Sequence, residues 1–314
     1  DLHLSLRRQR QMCIRDSLET FDAPNLGAKL ADFTTEAPKT VADQPQTPLL
    51  TVAGLQFAYP KGRQIFTDLN LTLHHGEMVA LVGRNGVGKS TLSHLIAGFL
   101  NPNAGQITLD GEDLATWSVK ERADKIGYIL QDPNQMISKH LIFDEVALGP
   151  RLRGWDEDRV KSAVLSALKV CGLYPFRSWP INALSYGQKK RVTIAAILVL
   201  EPALMILDEP TAGQDWRHFT DMMRFLTKLN DQGITMMLIT HDMHLMLEYA
   251  QRTIVLGDGG VLMDATPAAV LTNPDVIQHA SLAQPSLYRL AKRLNLDPLA
   301  FTQAVIDQER RVRQ

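Results

Sequence analysis

Short apolar segments alternate along the chain with longer segments in which apolar residues recur at helical spacing. Strand-like patterns occupy residues 50–57, 65–73, 78–82, 106–109, 126–130, 204–207, 236–240 and 253–256. Runs of this length, either alternating or continuously apolar, are typical of half-buried and fully buried strands. Because helical patterns separate several of the later strands, the alternation predicts a mostly parallel sheet that is covered by helices.

Helices are predicted for three segments: 156–172, 185–202 and 285–314. In the first, an apolar stripe that ends before Gly172 indicates ordinary core packing and a glycine stop; the stripe consists of Val160, Val164, Leu168 and Cys171. The last segment has an apolar face and several arginines near its end, and we interpret those arginines as a solvated face. The apolar face consists of Leu287, Leu290, Ala291 and Leu294.

The first 48 residues differ in composition from the rest of the chain. Residues 1–17 are rich in arginine, lack an initiator Met and have no apolar core of a signal peptide. We interpret them as the edge of a fragment or as foreign sequence, and assign them no function. Residues 18–48 are polar and contain four prolines, which is typical of a weakly ordered linker. We expect order to begin near Leu49.

Composition and charge limit the possible functions. The net charge of −1 gives no electrostatic reason to expect nucleic acid as a partner. Cys13 and Cys171 lie far apart and match no metal-ligand spacing, which fits a reducing cytoplasm. The longest apolar run, Val192–Leu200, is too short to span a bilayer. Any membrane role therefore requires a partner protein.

A phosphate-binding loop is predicted directly after the apolar strand 78–82. Residues 83–91, Gly-Arg-Asn-Gly-Val-Gly-Lys-Ser-Thr, match the pattern G-x-x-x-x-G-K-[ST], and a helical pattern follows them. Glycines let successive N–H groups surround a polyphosphate at the positive end of the helix. The candidate nucleotide-binding residues are Gly83, Asn85, Gly86, Gly88, Lys89, Ser90 and Thr91. Lys89 can reach the β- and γ-phosphates, and Ser90 can ligate Mg²⁺.

Two carboxylates end the apolar strand 204–207. In a protein with a phosphate loop, an apolar strand followed by Asp208-Glu209 is the Walker B pattern. Asp208 can hold Mg²⁺, directly or through water. Glu209 can act as a general base that polarises the attacking water.

The segment Leu184-Ser185-Tyr186-Gly187-Gln188 resembles the LSGGQ signature of ATP-binding-cassette (ABC) ATPases, with Tyr186 in place of a glycine. The order along the chain also resembles that family: phosphate loop, Gln131, signature, Walker B, and His241 after a strand. The resemblance covers residues 49–265. It implies an α/β P-loop NTPase fold with a mostly parallel sheet, an antiparallel N-terminal β-subdomain and an inserted helical subdomain at about 132–184. Residues 266–314 would then form a C-terminal helical extension, sometimes used for pairing in related cassettes.

The resemblance also implies roles for single residues. Tyr59 would stack under the adenine, and Gln131 would contact Mg²⁺ and the attacking water. His241 would contact the γ-phosphate, and residues 211–215 would form the D-loop between two ATP sites. Ser185, Gly187 and Gln188 would bind the γ-phosphate of ATP held by a second cassette. A side chain at Tyr186, where the family has glycine, leads us to expect a slower composite site.

Within the family, the segments at 57–60, 131–135, 184–191, 210–215 and 241–249 resemble the energy-coupling-factor (ECF) group of vitamin and metal importers. They are most similar to the second cassette of tandem-cassette ATPases associated with hydroxymethylpyrimidine or thiamine import. The resemblance implies ATP and Mg²⁺ as cofactors and a peripheral location at the cytoplasmic face of the cell membrane. The implied partners are a second cassette, a transmembrane coupling protein and a substrate-binding membrane protein.

Two alternatives remain open at this point. One is an importer ATPase of the same group with cobalt, nickel or biotin as its substrate. The other is an ABC ATPase that acts on ribosomes or DNA instead of driving transport. Such proteins usually insert a long charged arm or coiled coil, and this chain has neither sustained heptads nor basic runs in the predicted helical subdomain.

Overall fold

The computed structural model describes residues 47–60, 62–282 and 285–313, with side chains described as far as Asp307. The strands are β1 (Pro48–Ala58), β2 (Gln64–His74), β3 (Met78–Val82), β4 (Ala104–Leu109), β5 (Glu112–Asp113), β6 (Ile126–Ile129), β7 (Leu204–Asp208), β8 (Thr235–Ile239), β9 (Arg252–Gly257) and β10 (Gly260–Ala265). The predictions for residues 1–46 lie outside the described residues.

The helices are α1 (Lys89–Ala97), α2 (Val119–Arg122), α3 (Ile142–Leu152), α4 (Glu157–Val170), α5 (Tyr186–Leu198), α6 (Trp216–Asp231), α7 (Met243–Tyr249), α8 (Pro267–Thr272), α9 (Pro274–Ala280), α10 (Ser286–Arg293) and α11 (Pro298–Arg313). Single 3₁₀ turns lie at Leu114–Thr116, Pro133–Gln135, Tyr174–Phe176 and Ile181–Ala183. Among the described helices, none is both long enough and apolar enough to cross a membrane.

Two sheets organise the described part of the chain. The first is antiparallel, in the order β2-β1-β4-β5, and it contains the alternating strands near the N-terminus. The second has the order β10-β9-β3-β8-β7-β6, and all its neighbouring pairs are parallel except β10 with β9. The α/β fold class, with a mostly parallel sheet and an antiparallel N-terminal sheet, is confirmed.

The order of the parallel strands decides which loops become neighbours. β3 lies between β8 and β9, and β7 lies between β8 and β6. All five residues of β3 are buried, as expected for a parallel strand covered on both faces. The loops that follow β3, β8, β7 and β6 therefore leave the same edge of the sheet side by side. These loops begin with Gly83, Thr240, Glu209 and Leu130, so the topology brings the predicted motifs together.

The helices α3, α4 and α5 form a layer that packs against the sheet through one apolar cluster. Val146, Val160, Val164 and Val192 are fully buried in it. The stripe predicted on segment 156–172 thus faces the core, and Gly172 with φ +68° ends α4 in the left-handed conformation that favours glycine. Sequence patterns gave no clear indication of α3, because Gly149 and Pro150 interrupt its last turn.

The segment 285–314 is helical as predicted within its described residues, but it forms two helices instead of one. The chain forms α10 and α11, and the break lies at Asn295, whose φ is +54°. The carboxylate of Asp297 accepts a hydrogen bond from the Ala300 N–H at 2.7 Å, and Pro298 starts α11. A capping aspartate followed by proline is a typical helix start, so this local signal ends one helix and begins another.

Candidate functional site

The phosphate loop needs glycine at two positions for physical reasons. Gly83 has φ +147°, and a Cβ there would lie 2.6 Å from the Leu256 carbonyl oxygen. Gly88 has φ +114°, and a Cβ there would lie 2.6 Å from Cγ2 of Ile65. Both the conformation and the available space therefore exclude side chains. α1 begins directly after Gly88, so its free N–H groups and positive dipole end point into the loop.

Lys89 spans the mouth of this loop. Its Nζ donates hydrogen bonds to the carbonyl oxygens of Gly83 at 2.7 Å and Arg84 at 3.2 Å. Burial lowers the pKa of Lys89, while the charges of Glu209 and Asp208 oppose that shift. The loop carbonyls are weaker partners for an ammonium group than phosphate oxygens are. The arrangement therefore suits a polyphosphate, for which Lys89 would exchange its carbonyl partners.

An aromatic side chain lies beside the phosphate loop. The Tyr59 ring packs edge-to-face on Phe57, with ring centroids 4.9 Å apart, and its hydroxyl lies 3.2 Å from Oγ1 of Thr91. A turn follows this tyrosine, since the Gly62 N–H donates to the Tyr59 carbonyl at 2.8 Å. The ring is partly exposed, so one face remains available for stacking with a base.

Asp208 is the last residue of β7 and Glu209 follows it, and the charges of both act on Lys89. Burial, followed by the charge of Glu209, raises the pKa of Asp208, and the charge of Lys89 opposes this shift. Within the described residues, no group of three His, Cys, Asp or Glu side chains could hold a metal ion alone. Magnesium usually binds one or two protein oxygens together with phosphates and water. The Ser90 hydroxyl and the Asp208 carboxylate fit that chemistry.

Glu209 is held by the loop that follows β8. Its Oε1 lies 2.5 Å from Nδ1 of His241 and accepts a hydrogen bond from the His241 N–H at 3.1 Å. The Thr240 hydroxyl donates to Oε2 at 3.4 Å. The backbone of Glu209 has φ +45°, an uncommon value for a residue other than glycine. The carboxylate is 13% exposed and the His241 ring 76% exposed, so the pair faces solvent through the histidine.

The signature residues form the first turn of α5. Ser185 is the N-cap: its Oγ accepts from the Gln188 N–H at 3.3 Å, and the Gln188 Oε1 accepts from the Ser185 N–H at 2.9 Å. This reciprocal pair is a capping box. Ser185 and Gln188 thus bond to each other rather than to the phosphate loop. The end of α5, with Gly187 in its first turn, remains open to an anion from outside the chain.

Sequence reasoning missed Lys190, which links the signature helix to the main chain directly after β7. Its Nζ donates to the carbonyl oxygens of Glu209 at 3.0 Å and Pro210 at 2.9 Å. The side chain is only 2% exposed, and burial lowers its pKa to about 8. A signal was present, because Lys190 lies four positions before the buried Ile194 on the apolar face of the helix.

The structure thus brings most of the predicted site residues to one edge of the sheet. Lys89, Asp208, Glu209 and His241 are linked by contacts or by charge. Gln131 lies at the end of the adjacent strand β6, and its carbonyl oxygen accepts a hydrogen bond from the Tyr186 hydroxyl at 3.1 Å. Asn85, Gly86 and Ser90 lie on the open side of the loop. The edge therefore combines a phosphate loop, two carboxylates and a histidine.

Comparison with known proteins agrees with this geometry. The family model of the ABC transporter matches residues 66–212. A curated ABC transporter ATP-binding protein of Lactiplantibacillus plantarum is 60% identical over 303 residues, which cover 95% of this chain and 53% of that protein. A relative with the same description in Enterococcus faecalis is 54% identical over 88% of this chain and 49% of that protein. The chain spans about half the length of these curated relatives.

Solved structures give the same result. The structure of cbiO1 from Clostridium perfringens, part of the ABC transporter complex cbiONQ, is 32% identical and superposes with a TM-score of 0.70. The match covers 79% of this chain and all of cbiO1. MJ1267, an ATP-binding cassette of an ABC transporter in its ADP conformation, shares the fold with a TM-score of 0.67 at 23% identity. The chain belongs to the ABC transporter ATP-binding family, whose members are ATPases.

Proposed function

We propose that this chain is the ATP-hydrolysing cassette of an ECF-type importer. The observation that carries the proposal is the meeting of Lys89, Asp208, Glu209 and His241 at adjacent strand ends. A phosphate cradle next to a half-buried carboxylate pair is the arrangement that phosphoryl transfer to water requires. The likeness to cbiO1, itself part of a transporter complex, supports the ECF group.

In this proposal, the loop amides, Lys89 and the stacking face of Tyr59 bind ATP. Ser90 and Asp208 hold Mg²⁺, with Gln131 beside them. When bound, the metal ion neutralises charge on the phosphate oxygens and so favours attack by water. The protein itself contributes mainly by positioning and by electrostatic stabilisation of the transferred group.

Glu209 is the proposed general base, and His241 holds its carboxylate. Two hydrogen-bond donors of His241, from the ring and the backbone, contact the same oxygen of Glu209. The other oxygen, Oε2, accepts only a long hydrogen bond of 3.4 Å from the Thr240 hydroxyl and is therefore the one available to accept a proton from water.

The signature residues are proposed to act on ATP that is bound to a second cassette. Ser185, Gly187 and Gln188 lie at a helix N-terminus that, among the described residues, forms no hydrogen bond with the phosphate loop of its own chain. The greater length of the curated relatives supports a tandem arrangement with another cassette. We propose association with a transmembrane coupling protein and a substrate-binding membrane protein, at the cytoplasmic face of the membrane.

Hydroxymethylpyrimidine or thiamine is the proposed substrate class, on the basis of the motif resemblance alone. Cobalt, nickel and biotin importers of the same group remain the nearer alternatives, and the cbiO1 likeness does not separate them. A role on ribosomes or DNA is the more distant alternative. The net charge of −1 does not favour nucleic acid.

The experiment that tests this proposal is affinity purification of the Glu209→Gln variant from bacterial cells with ATP present, followed by mass spectrometry. Recovery of small integral membrane proteins supports the importer, and the substrate-binding one identifies the substrate. The Lys89→Ala variant is the matched control, because loss of nucleotide binding should release partners that depend on ATP. Recovery of ribosomal proteins or nucleic acid without any membrane protein would overturn the transport proposal.

A further inference from the structure

The tyrosine that interrupts the signature makes a specific contact with another functional segment. Its hydroxyl donates to the Gln131 carbonyl oxygen at 3.1 Å, across 55 residues of sequence. Burial and the nearby Asp132 carboxylate raise the pKa of the Tyr186 phenol. The hydroxyl therefore keeps its proton at neutral pH and serves as a donor. Glycine, which the family pattern has at this position, cannot make this bond.

A second bond joins the same two segments. The Nζ of Lys189, one turn into α5, donates to Oδ1 of Asn134 at 3.1 Å. Asn134 is itself tied to Asp132, whose Oδ1 accepts from both the backbone and the side-chain nitrogen of Asn134. Two residues of the signature helix, three positions apart, thus bind the loop 131–135. The loop is held along its length instead of at one point.

The Tyr186 ring also contacts Lys190, which is bonded to the main chain of Glu209, the proposed general base. Nζ of Lys190 lies 5.5 Å from the ring centroid and donates to the Glu209 carbonyl oxygen. The Glu209 carboxylate in turn contacts His241. A continuous set of contacts therefore runs from the Gln131 backbone through Tyr186 and Lys190 to Glu209.

From this arrangement we propose that Tyr186 is a positioning residue for Gln131, which it fixes relative to Glu209 through its hydroxyl. The proposal rests on the function proposed above for the Gln131 and Glu209 side chains. Because the hydroxyl binds the main chain, it sets the place of the loop whatever the rotamer of Gln131 is. Tyr186 is 40% exposed, so its ring does not serve the core. Tyr186 therefore has a positive function within the cassette, in addition to any obstruction of the composite site.

Hydrogen exchange of the Tyr186→Phe variant tests the proposal without nucleotide. Phenylalanine keeps the ring over Lys190 and removes only the bond to Gln131. The Tyr174→Phe variant is the matched control, since the Tyr174 ring contacts Arg177 and Lys169 with its face and not with its hydroxyl. Loss of one hydrogen bond should speed exchange of the Asn134, Gln135 and Met136 amides roughly three- to tenfold. Peptides from α4 should exchange as before.

Steady-state kinetics supply the functional measurement. We expect kcat for ATP hydrolysis to fall roughly three- to tenfold in Tyr186→Phe, while KM for ATP stays within about twofold of the parent, because adenine and phosphates are bound elsewhere. Tyr186→Gly loses the same bond but also removes the side chain expected to slow the composite site, so the decisive variant is Tyr186→Phe.

Three outcomes would overturn the proposal. Exchange at 134–136 that is equal in Tyr186→Phe and Tyr174→Phe would show that the hydroxyl does not hold the loop. Faster exchange throughout α4 as well would indicate a general structural role. Faster loop exchange with unchanged kcat would show that the position of the loop does not affect the reaction. If the parent protein itself hydrolyses no ATP, the proposed function fails, and the exchange data still decide whether Tyr186 holds the loop.

Discussion

Nδ1 of His241 lies 2.5 Å from Oε1 of Glu209, although 32 residues separate the two in the sequence. The pairing follows from the parallel strands β7 and β8, in which Asp208 is opposite Ile239. Glu209 and His241 come after these paired ends, one on each strand. The histidine thus contacts the proposed base directly.

Replacement of Glu209 by glutamine should abolish most ATP turnover while ATP binding persists. Glutamine keeps the shape of the side chain but cannot accept a proton from water, and a general base contributes roughly 10²- to 10⁴-fold to a rate. Phosphate release measures turnover, and calorimetry measures affinity. Glu112→Gln, at an exposed position in β5, is the matched control. Turnover at the parental rate in Glu209→Gln would show that another group is the base.

Replacement of Lys89 by alanine should weaken ATP binding by roughly 10- to 100-fold, because hydrogen bonds to charged groups contribute about 1.5–3 kcal/mol. The ammonium of Lys89 contacts only loop carbonyls in the described geometry and is free to change partners. Titration calorimetry with ATP and Mg²⁺ measures the effect. Lys228→Ala, on the exposed face of α6, should leave the affinity unchanged. Equal affinities in both variants would contradict the role of Lys89.

Local patterns were sufficient to predict much of this fold. The apolar runs correctly located eight of the ten described strands and missed β5 and β10, and the helical pattern beside the phosphate loop corresponds to α1, which begins at Lys89. The order of the strands in the sheet could not be predicted from these patterns. The chain forms β3, β6, β7 and β8 in that sequence, but the sheet has the order β3-β8-β7-β6. The resemblance to a known family, rather than hydrophobic periodicity, provided the expectation that the motifs meet.

Contacts between distant residues could not be predicted from the sequence. The bond from Tyr186 to Gln131 depends on how α5 packs against the end of β6, and no pattern in either segment indicates it. Lys190 has the spacing of a buried residue, but its charge is typical of a solvated one. Its partners, two backbone carbonyls next to Glu209, become visible only in the folded chain.

Lys190 should make the free energy of unfolding depend on pH in the alkaline range. Its pKa is about 8 in the folded protein, against an ordinary value of 10.5. Between these values the unfolded chain binds one more proton than the native protein, so the free energy of unfolding rises with pH. Below pH 8 both states carry the proton and the contribution is constant. The full difference corresponds to roughly 3 kcal/mol.

Urea unfolding at several pH values between 7.5 and 10.5 measures this effect as the difference between the parent and Lys190→Met. We expect the stability of the parent, relative to the variant, to increase across that interval. Lys228→Met is the matched control at an exposed site and should follow the parent. A difference that falls as pH rises would mean that Lys190 keeps its proton through favourable interactions in the fold.

Arg252 should be important for stability, because it neutralises the carboxylate of Glu77. Glu77 directly precedes β3, the strand that ends at the phosphate loop. Glu77 is 4% exposed and accepts hydrogen bonds from the His74 N–H at 2.9 Å and from Nη1 of Arg252 at 3.2 Å. Arg252 also forms two bonds of 2.6 Å with Asp264. Loss of one partner of a buried ion pair costs about 3–5 kcal/mol, since the other charge remains without compensation. Arg252→Met should therefore destabilise the protein by about that amount in urea unfolding.

Two further variants distinguish the contribution of the buried pair Arg252–Glu77 to stability from that of the outer pair Arg252–Asp264. Asp264→Asn removes only the outer, more exposed partner and should cost about 1 kcal/mol or less. Addition of Glu77→Gln to Arg252→Met removes the uncompensated charge and should restore part of the lost stability. If Asp264→Asn costs as much as Arg252→Met, the outer pair determines stability and Glu77 is not the sensitive group. If the double variant is no more stable than Arg252→Met, then Arg252→Met loses stability through the packing of the arginine stem over β9 and not through the loss of its charge.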